Sequence, residues 1–235
     1  MVLSPKFTSP KLAAKILGAR SEQRVIDILN TAQVVFGEQG FDRGTTAEIA
    51  RRLNISEATI FTYFGSKREL CQELLYTWYT MITAQMEEDF PRTEGLRNKI
   101  DYVVTRHLNY LLQDTKGFCA LILSEGRTVH GEFAEDLADL KRRYLASFMV
   151  ALREAQAAGE IDPEIRLSIV RDMLFGMMEH ILWRNIEANR VPDIATTASE
   201  VTRLIMKAIA PNGDELRRLR QFREDVAASL KRIDQ

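Results

Sequence analysis

Cysteine, histidine and proline are scarce in this sequence, and each scarcity removes a class of function. The two cysteines among 235 residues, Cys71 and Cys119, stand far apart and form no CxxC pair. Neither a zinc site nor a disulfide framework is therefore expected, and both thiols are read as reduced. His107, His130 and His180 show no metal-ligand spacing, so no metal is expected. A P-loop, a dinucleotide-binding glycine turn and a nucleophile elbow are all missing, which leaves no candidate catalytic residue and no expected cofactor. No apolar run approaches the roughly 18–20 residues of a membrane span, and Lys11 and Lys15 interrupt any signal-peptide core. The chain is expected to be soluble and cytoplasmic, with no membrane partner.

Charge of one sign is also lacking. The formal net charge is −1, so no global basic field marks the chain as a nucleic-acid coat. The distribution is less even: residues 1–68 carry 10 Lys/Arg against 6 Asp/Glu, and residues 69–235 carry 22 against 27. The basic excess sits at the N-terminal end, where a DNA contact is placed. With 6 prolines and 12 glycines, long stretches run without a break.

Those stretches have helical periodicity, and no alternating strand pattern is found. The reading is an all-α chain. Residues 1–20 hold Lys6, Lys11, Lys15 and Arg20, no acid, and two prolines. They read as a basic, flexible arm with room for a helical end, either plainly disordered or touching phosphate or the minor groove. A helix over 21–39 follows from Val25, Ile28, Leu29, Ala32, Val35 and Phe36 at i, i+3, i+4 spacing, with Gly40 as its stop. A short helix spans 46–53, where Thr45 and Glu48 match a capping box. Asn54-Ile55 turns the chain. Ser56 caps a second short helix over 57–64, with Ile55 and Ile60 as a hydrophobic staple. Ser66 and Glu69 open a long helix over 66–90. Beyond Pro91 the expected helices are 94–113, 118–129, 132–158, 163–189 and 194–210, then a charged one over 214–232.

Two short helices joined by a tight turn make a helix-turn-helix, whose second helix enters the major groove. Small side chains at Ser56, Ala58 and Thr59 permit close approach, and the helix N-terminus can receive a phosphate. Phe61 and Phe64 are expected in the core. Arg51 and Arg52 are either DNA contacts or a solvated face.

The residues Phe36, Gly40-Phe41, Thr45-Thr46, Ile49-Ala50, Ile55-Ser56, Thr59-Ile60, Tyr63-Phe64 and Ser66-Lys67 before Leu70 resemble the tetracycline-repressor (TetR) family over about residues 21–75. The resemblance implies a ligand-responsive transcriptional repressor that binds a palindromic DNA operator as a homodimer. It implies phosphate contacts from Thr46, Tyr63 and Lys67, and a groove-facing set of Ser56, Glu57, Ala58, Thr59 and Thr62. Two positions depart from the pattern. Phe61 stands where many members carry Tyr. Glu57 is acidic where many are basic, and either accepts from cytosine N4 or caps its helix electrostatically.

The implied organisation is a basic arm over 1–20, a DNA-binding domain over 21–68, a ligand-binding and dimerisation domain over 69–210, and an extra C-terminal helix over 211–235. The implied dimer interface takes Ile169, Met173, Gly176, Met177, His180 and Trp183 from one helix and Val201, Leu204, Ile205 and Ala208 from the next. The sensor pocket is expected among Arg106, His107, Phe118, Leu121, Ile122, Arg127, Phe148, Met149, Leu152, Phe175 and Met178. Residues 171–184 are similar to the dimer helix of members that regulate fatty-acid metabolism, which implies a small apolar effector such as an acyl-CoA. Activation instead of repression, and a non-catalytic helical adaptor, are the alternatives.

Overall fold

A computed structural model describes residues 3–112, 132–188, 190, 192–211 and 222–223. Its helices are α1 (Pro10–Ala13), α2 (Ala19–Arg43), α3 (Thr46–Leu53), α4 (Glu57–Tyr63) and α5 (Lys67–Asp89), then α6 (Leu96–Leu112), α7 (Glu132–Ala157), α8 (Leu167–Glu187) and α9 (Ile194–Ile209). Single 3-10 turns lie at Pro5–Phe7 and Phe90–Arg92. No strand occurs among the described residues. The helices expected over 118–129 and 214–232, along with Cys119 and His130, fall outside the described residues, apart from Phe222 and Arg223.

Local chemistry sets the N-terminal elements. The apolar stripe of α2, from Val25 to Phe36, is fully buried. Gly40 sits at φ 76°, ψ 166° and breaks the helix, and one further turn follows. A Cβ on Gly44 would lie 2.8 Å from the Phe36 ring and 3.0 Å from the Gly40 carbonyl oxygen, so only glycine lets the chain fold back there. The Thr45 hydroxyl accepts from the Glu48 amide at 3.1 Å. Helix α3 then ends on Asn54 in the left-handed region, a conformation Asn tolerates better than most residues. Ser56 and Ser66 cap α4 and α5 by accepting from Thr59 N and Glu69 N.

The N-terminal segment departs from expectation. The supposed flexible arm is a packed strap. Leu3 and Leu12 are buried, and the Leu3 amide donates to Asn30. Lys11 pairs with Glu69 at 2.9 Å, and the Lys15 ammonium donates to the Tyr63 carbonyl at 2.6 Å. Pro10 starts a helix instead of breaking one, since its missing N–H is an orphan at that position anyway. Ser9 donates to the buried carboxylate of Glu73 at 2.5 Å, and burial raises the Glu73 pKa.

A carboxylate with a raised folded pKa contributes stability below its unfolded pKa and loses it as pH rises through the folded one. Glu73→Gln keeps an oxygen to accept from Ser9 and removes the charge. We expect it to gain stability relative to the parent as pH rises from 5 to 8, measured by urea midpoints. Parallel curves for the two proteins would contradict this.

Behind the strap, α5 packs along α7 and α6 along α9. One apolar core runs without interruption from Leu3 through Leu70, Trp78 and Val104 to Ile209. Helix α5 carries it from the first unit into the second.

Candidate nucleic-acid interface and sensor cavity

Helices α3 and α4 meet at their N-terminal ends. The Thr46 hydroxyl donates to the Glu57 carboxylate, and Thr46 is buried. Glu57 therefore ties the two helices together, a role that neither sequence reading of it anticipated. Ile60 on α4 and Phe64 just past its end are fully buried. Ser56, Glu57, Ala58, Phe61 and Thr62 are exposed, and Thr59 and Tyr63 are half-buried.

Phe61 is a correction: expected in the core, it is 45% exposed. Ile60 is the buried residue of this short helix, Phe64 enters the core from extended backbone just past its end, and Phe61 lies about 100° round from Ile60.

Arg51 and Arg52 form an ion-paired face. Both guanidiniums donate to Glu48 at 2.8 Å, and Arg52 reaches Glu38 at 2.6 Å. The hydrogen bonds from Arg51 and Arg52 hold the Glu48 carboxyl at about 2. Glu48 thus turns to the arginines, while Thr45 alone makes the side-chain half of the cap. Lys67 lies over the Phe41 ring at 4.6 Å and donates to the Asp42 carbonyl at 3.0 Å. Beside Thr59 and Tyr63 an open cleft is lined by Arg20 and Arg24. Arg24 is not legible as part of this cleft in the sequence, because a lone basic residue on a long amphipathic helix carries no signal of what it neighbours.

The second unit holds a cavity of about 280 Å³ between α5, α6, α7 and α8. Trp78 and Tyr79, His107 and Leu111, Tyr144 and Leu145, and Phe175 form its walls, with Lys141, Arg171, Asp172 and Glu179 also lining it. Of the expected pocket residues, His107 and Phe175 line it. Phe148, Leu152 and Met178 are fully buried core instead, and Met149 packs on the core. Arg106 lies elsewhere, over the Tyr102 ring and 3.2 Å from Asp89. Phe118, Leu121, Ile122 and Arg127 fall outside the described residues. Trp78, Tyr79 and Tyr144 went unselected because each reads as ordinary helix core.

His107 Nδ1 is 3.2 Å from the Tyr144 hydroxyl, and its ring meets Phe175 edge-on at 5.1 Å. Burial lowers its pKa to about 4. The unfolded chain takes up this proton near pH 6.5 and the folded chain only near 4, so stability falls as pH drops through that window. From pH 7 to 5 the loss is on the order of 2 kcal/mol. His107→Gln is expected to remove that loss in urea titrations, and an unchanged pH slope would contradict it.

On α8, Ile169 is 48% exposed. Gly176 and His180 are exposed, and Met173, Met177 and Trp183 are half-buried. On α9, Leu204 and Ala208 are exposed. Val201 and Ile205 are a correction: expected at a dimer interface, they are buried in the protomer's own core. Helix α9 carries two apolar stripes, and the inner one, Ala198, Val201, Ile205 and Ile209, belongs to the side that packs on α6.

No group of three or more His, Cys, Asp or Glu residues arranged to hold a metal occurs among the described residues. No helix among them is long and apolar enough to cross a membrane.

Residues 28–74 match the family described as bacterial regulatory proteins, tetR family. Residues 78–208 match the YsiA-like protein, C-terminal region. The chain is 30% identical over 176 residues to the HTH-type transcriptional regulator UidR of Escherichia coli K12, covering 73% of this chain and 84% of that protein. It is 22% identical over 186 residues to the fatty acid metabolism regulator protein of Bacillus subtilis, covering 79% and 95%. The crystal structure of the transcriptional regulator FadR from Bacillus subtilis in complex with stearoyl-CoA superposes with a TM-score of 0.69 at 22% identity, covering 78% of this chain and 98% of that one.

Proposed function

The chain belongs to the TetR family of bacterial regulatory proteins, and from that membership we propose how a ligand-responsive repressor of this kind works in this molecule. Residues 21–68 read DNA, and residues 69–210 sense the effector and dimerise. The protein acts in the cytoplasm by binding, without catalysis. Two protomers join through the outward faces of α8 and α9, which place two copies of α4 on a palindromic operator. Tyr63 and Lys67 hold phosphates, with Arg20 and Arg24 adding charge beside Tyr63, and Thr46 contributes only its backbone N–H at the start of α3, because its hydroxyl is committed to Glu57. Ser56, Glu57, Ala58, Thr59 and Thr62 face the groove.

The effector is a long apolar molecule of the acyl-CoA class. Its acyl chain occupies the cavity, and Lys141 and Arg171 supply positive charge for its anionic part. Support comes from the aromatic walls and from the stearoyl-CoA bound to the FadR structure. The observation that carries the mechanism is the path of α5. It starts at Lys67 beside the reading unit and forms the Trp78–Tyr79 wall of the cavity. An effector that binds one position of α5 better than another shifts the spacing of the reading helices by that difference in affinity.

Selection from a random duplex library at roughly physiological salt tests the regulator itself. An enriched palindrome is expected. No enrichment from protein that has been unfolded, stripped of ligand and refolded would defeat the reading. On the selected operator, Lys67→Ala should weaken binding of all sequences about equally and reduce the salt slope by about one. An unchanged slope would remove Lys67 from the phosphate contacts.

A further inference from the structure

The outward surface of α4 has an unusual chemical inventory for a reading helix. Its seven residues, Glu57 to Tyr63, include no Arg, Lys, Asn or Gln. Those are the side chains that grip guanine or adenine with two hydrogen bonds. Its polar groups are largely committed within the protein. The Thr62 hydroxyl donates to the Ala58 carbonyl at 3.1 Å. Ser56 and Thr59 share a hydrogen bond at 2.8 Å. One oxygen of Glu57 accepts from Thr46.

Apart from the second oxygen of Glu57, what the helix offers outward is largely apolar: Ala58 and, above all, the Phe61 ring at 45% exposure. Phe61 follows Glu57 by one helical turn, and long side chains on a helix lean toward its N-terminus. That is the end of a recognition helix that meets the base edges.

We propose that Phe61 is a specificity-determining residue whose ring packs on the 5-methyl group of a thymine in each operator half-site. The methyl group is the apolar feature that distinguishes thymine in the major groove. An exposed ring loses water-facing surface on meeting it, so the contact is favourable without any hydrogen bond. The inference rests on the regulator reading and deepens it.

The test uses the full-length protein and the palindrome obtained by selection. Each thymine is replaced by deoxyuridine in both half-sites, one position at a time, which removes one methyl group per half-site and leaves every hydrogen-bonding group in place. One position is expected to cost about fourfold in affinity per half-site, the worth of one buried methyl, and roughly fifteenfold for the pair. Phe61→Ala, a change at an exposed position, should bind the thymine and deoxyuridine operators equally at that position. The inference is overturned if no deoxyuridine weakens binding, or if Phe61→Ala retains the full discrimination. Both outcomes leave the regulator reading intact, because the unmodified palindrome is still bound over random DNA. If even that preference is missing, the regulator reading fails first and takes this inference with it.

Discussion

Gly176→Arg is expected to give a folded monomer whose operator affinity is at least a hundredfold below that of the parent. Gly176 lies within α8 and is exposed, and a Cβ built there meets nothing within 4 Å. The protomer therefore accommodates the new side chain, and replacing a mid-helix glycine by arginine raises helix propensity by roughly 0.8 kcal/mol. The damage falls on assembly. In a two-fold interface one substitution appears twice and faces its own copy or near neighbours. Ile169, Met173, Met177 and His180 lie about Gly176 on the outward side of α8, so two long side chains would be driven into the seam where the glycines let the helices approach. Once the dimer is lost, each half-site is bound alone. Linking two binding events contributes about 10²–10⁴ in avidity without any new contact, and that factor disappears. Sedimentation and an operator titration measure both effects. A dimer with parental affinity would show that α8 is not the interface.

Leu145→Trp is expected to bind its operator normally and to respond at least thirtyfold less to the effector. Leu145 lines the cavity of about 280 Å³ and is only partly buried. An indole at this position enters space that is available, unlike an enlarged side chain in a close-packed core, which typically costs about 1–3 kcal/mol. The protein should keep its stability within about 1 kcal/mol. The space proposed for the acyl chain, however, is filled in advance. Because coupling between two ligands is reciprocal, a protein that no longer takes up the effector no longer changes its DNA affinity in response. Calorimetric titration with stearoyl-CoA and a parallel operator titration check the two halves. Release of DNA from Leu145→Trp at the parental effector concentration would place the sensor site elsewhere.

Local signals carried the reading unit. Helix α3 was expected over 46–53 and is found at Thr46–Leu53, because Thr45 and Asn54 act within a turn of the ends they define. The same holds for Ser56 and Ser66. What could not be read locally depends on which helix meets which. Thr46 and Glu57 are eleven residues apart and bond across two helices. Phe61 and Phe64 look alike in a list of apolar residues, and only the way the chain packs around the end of α4 separates a covered ring from an open one. Leu3 and Leu12 are too few to declare a stripe, so the strap read as an arm. On α9 two apolar stripes lie side by side, and the sequence does not say which one the protomer keeps for its own core. The cavity is a harder case: His107 and Phe175 were selected, yet its shape comes from four helices, and Trp78, Tyr79 and Tyr144 enter it only through their packing.

The central claim is that one ligand, in one cavity, sets the affinity for DNA. Its most direct test is a titration of the selected operator with purified protein at increasing stearoyl-CoA, with free coenzyme A as the control. The account predicts that operator affinity falls steadily as the acyl-CoA site fills and that coenzyme A alone leaves it unchanged. Saturating, measurable binding of stearoyl-CoA with no change in operator affinity would contradict it.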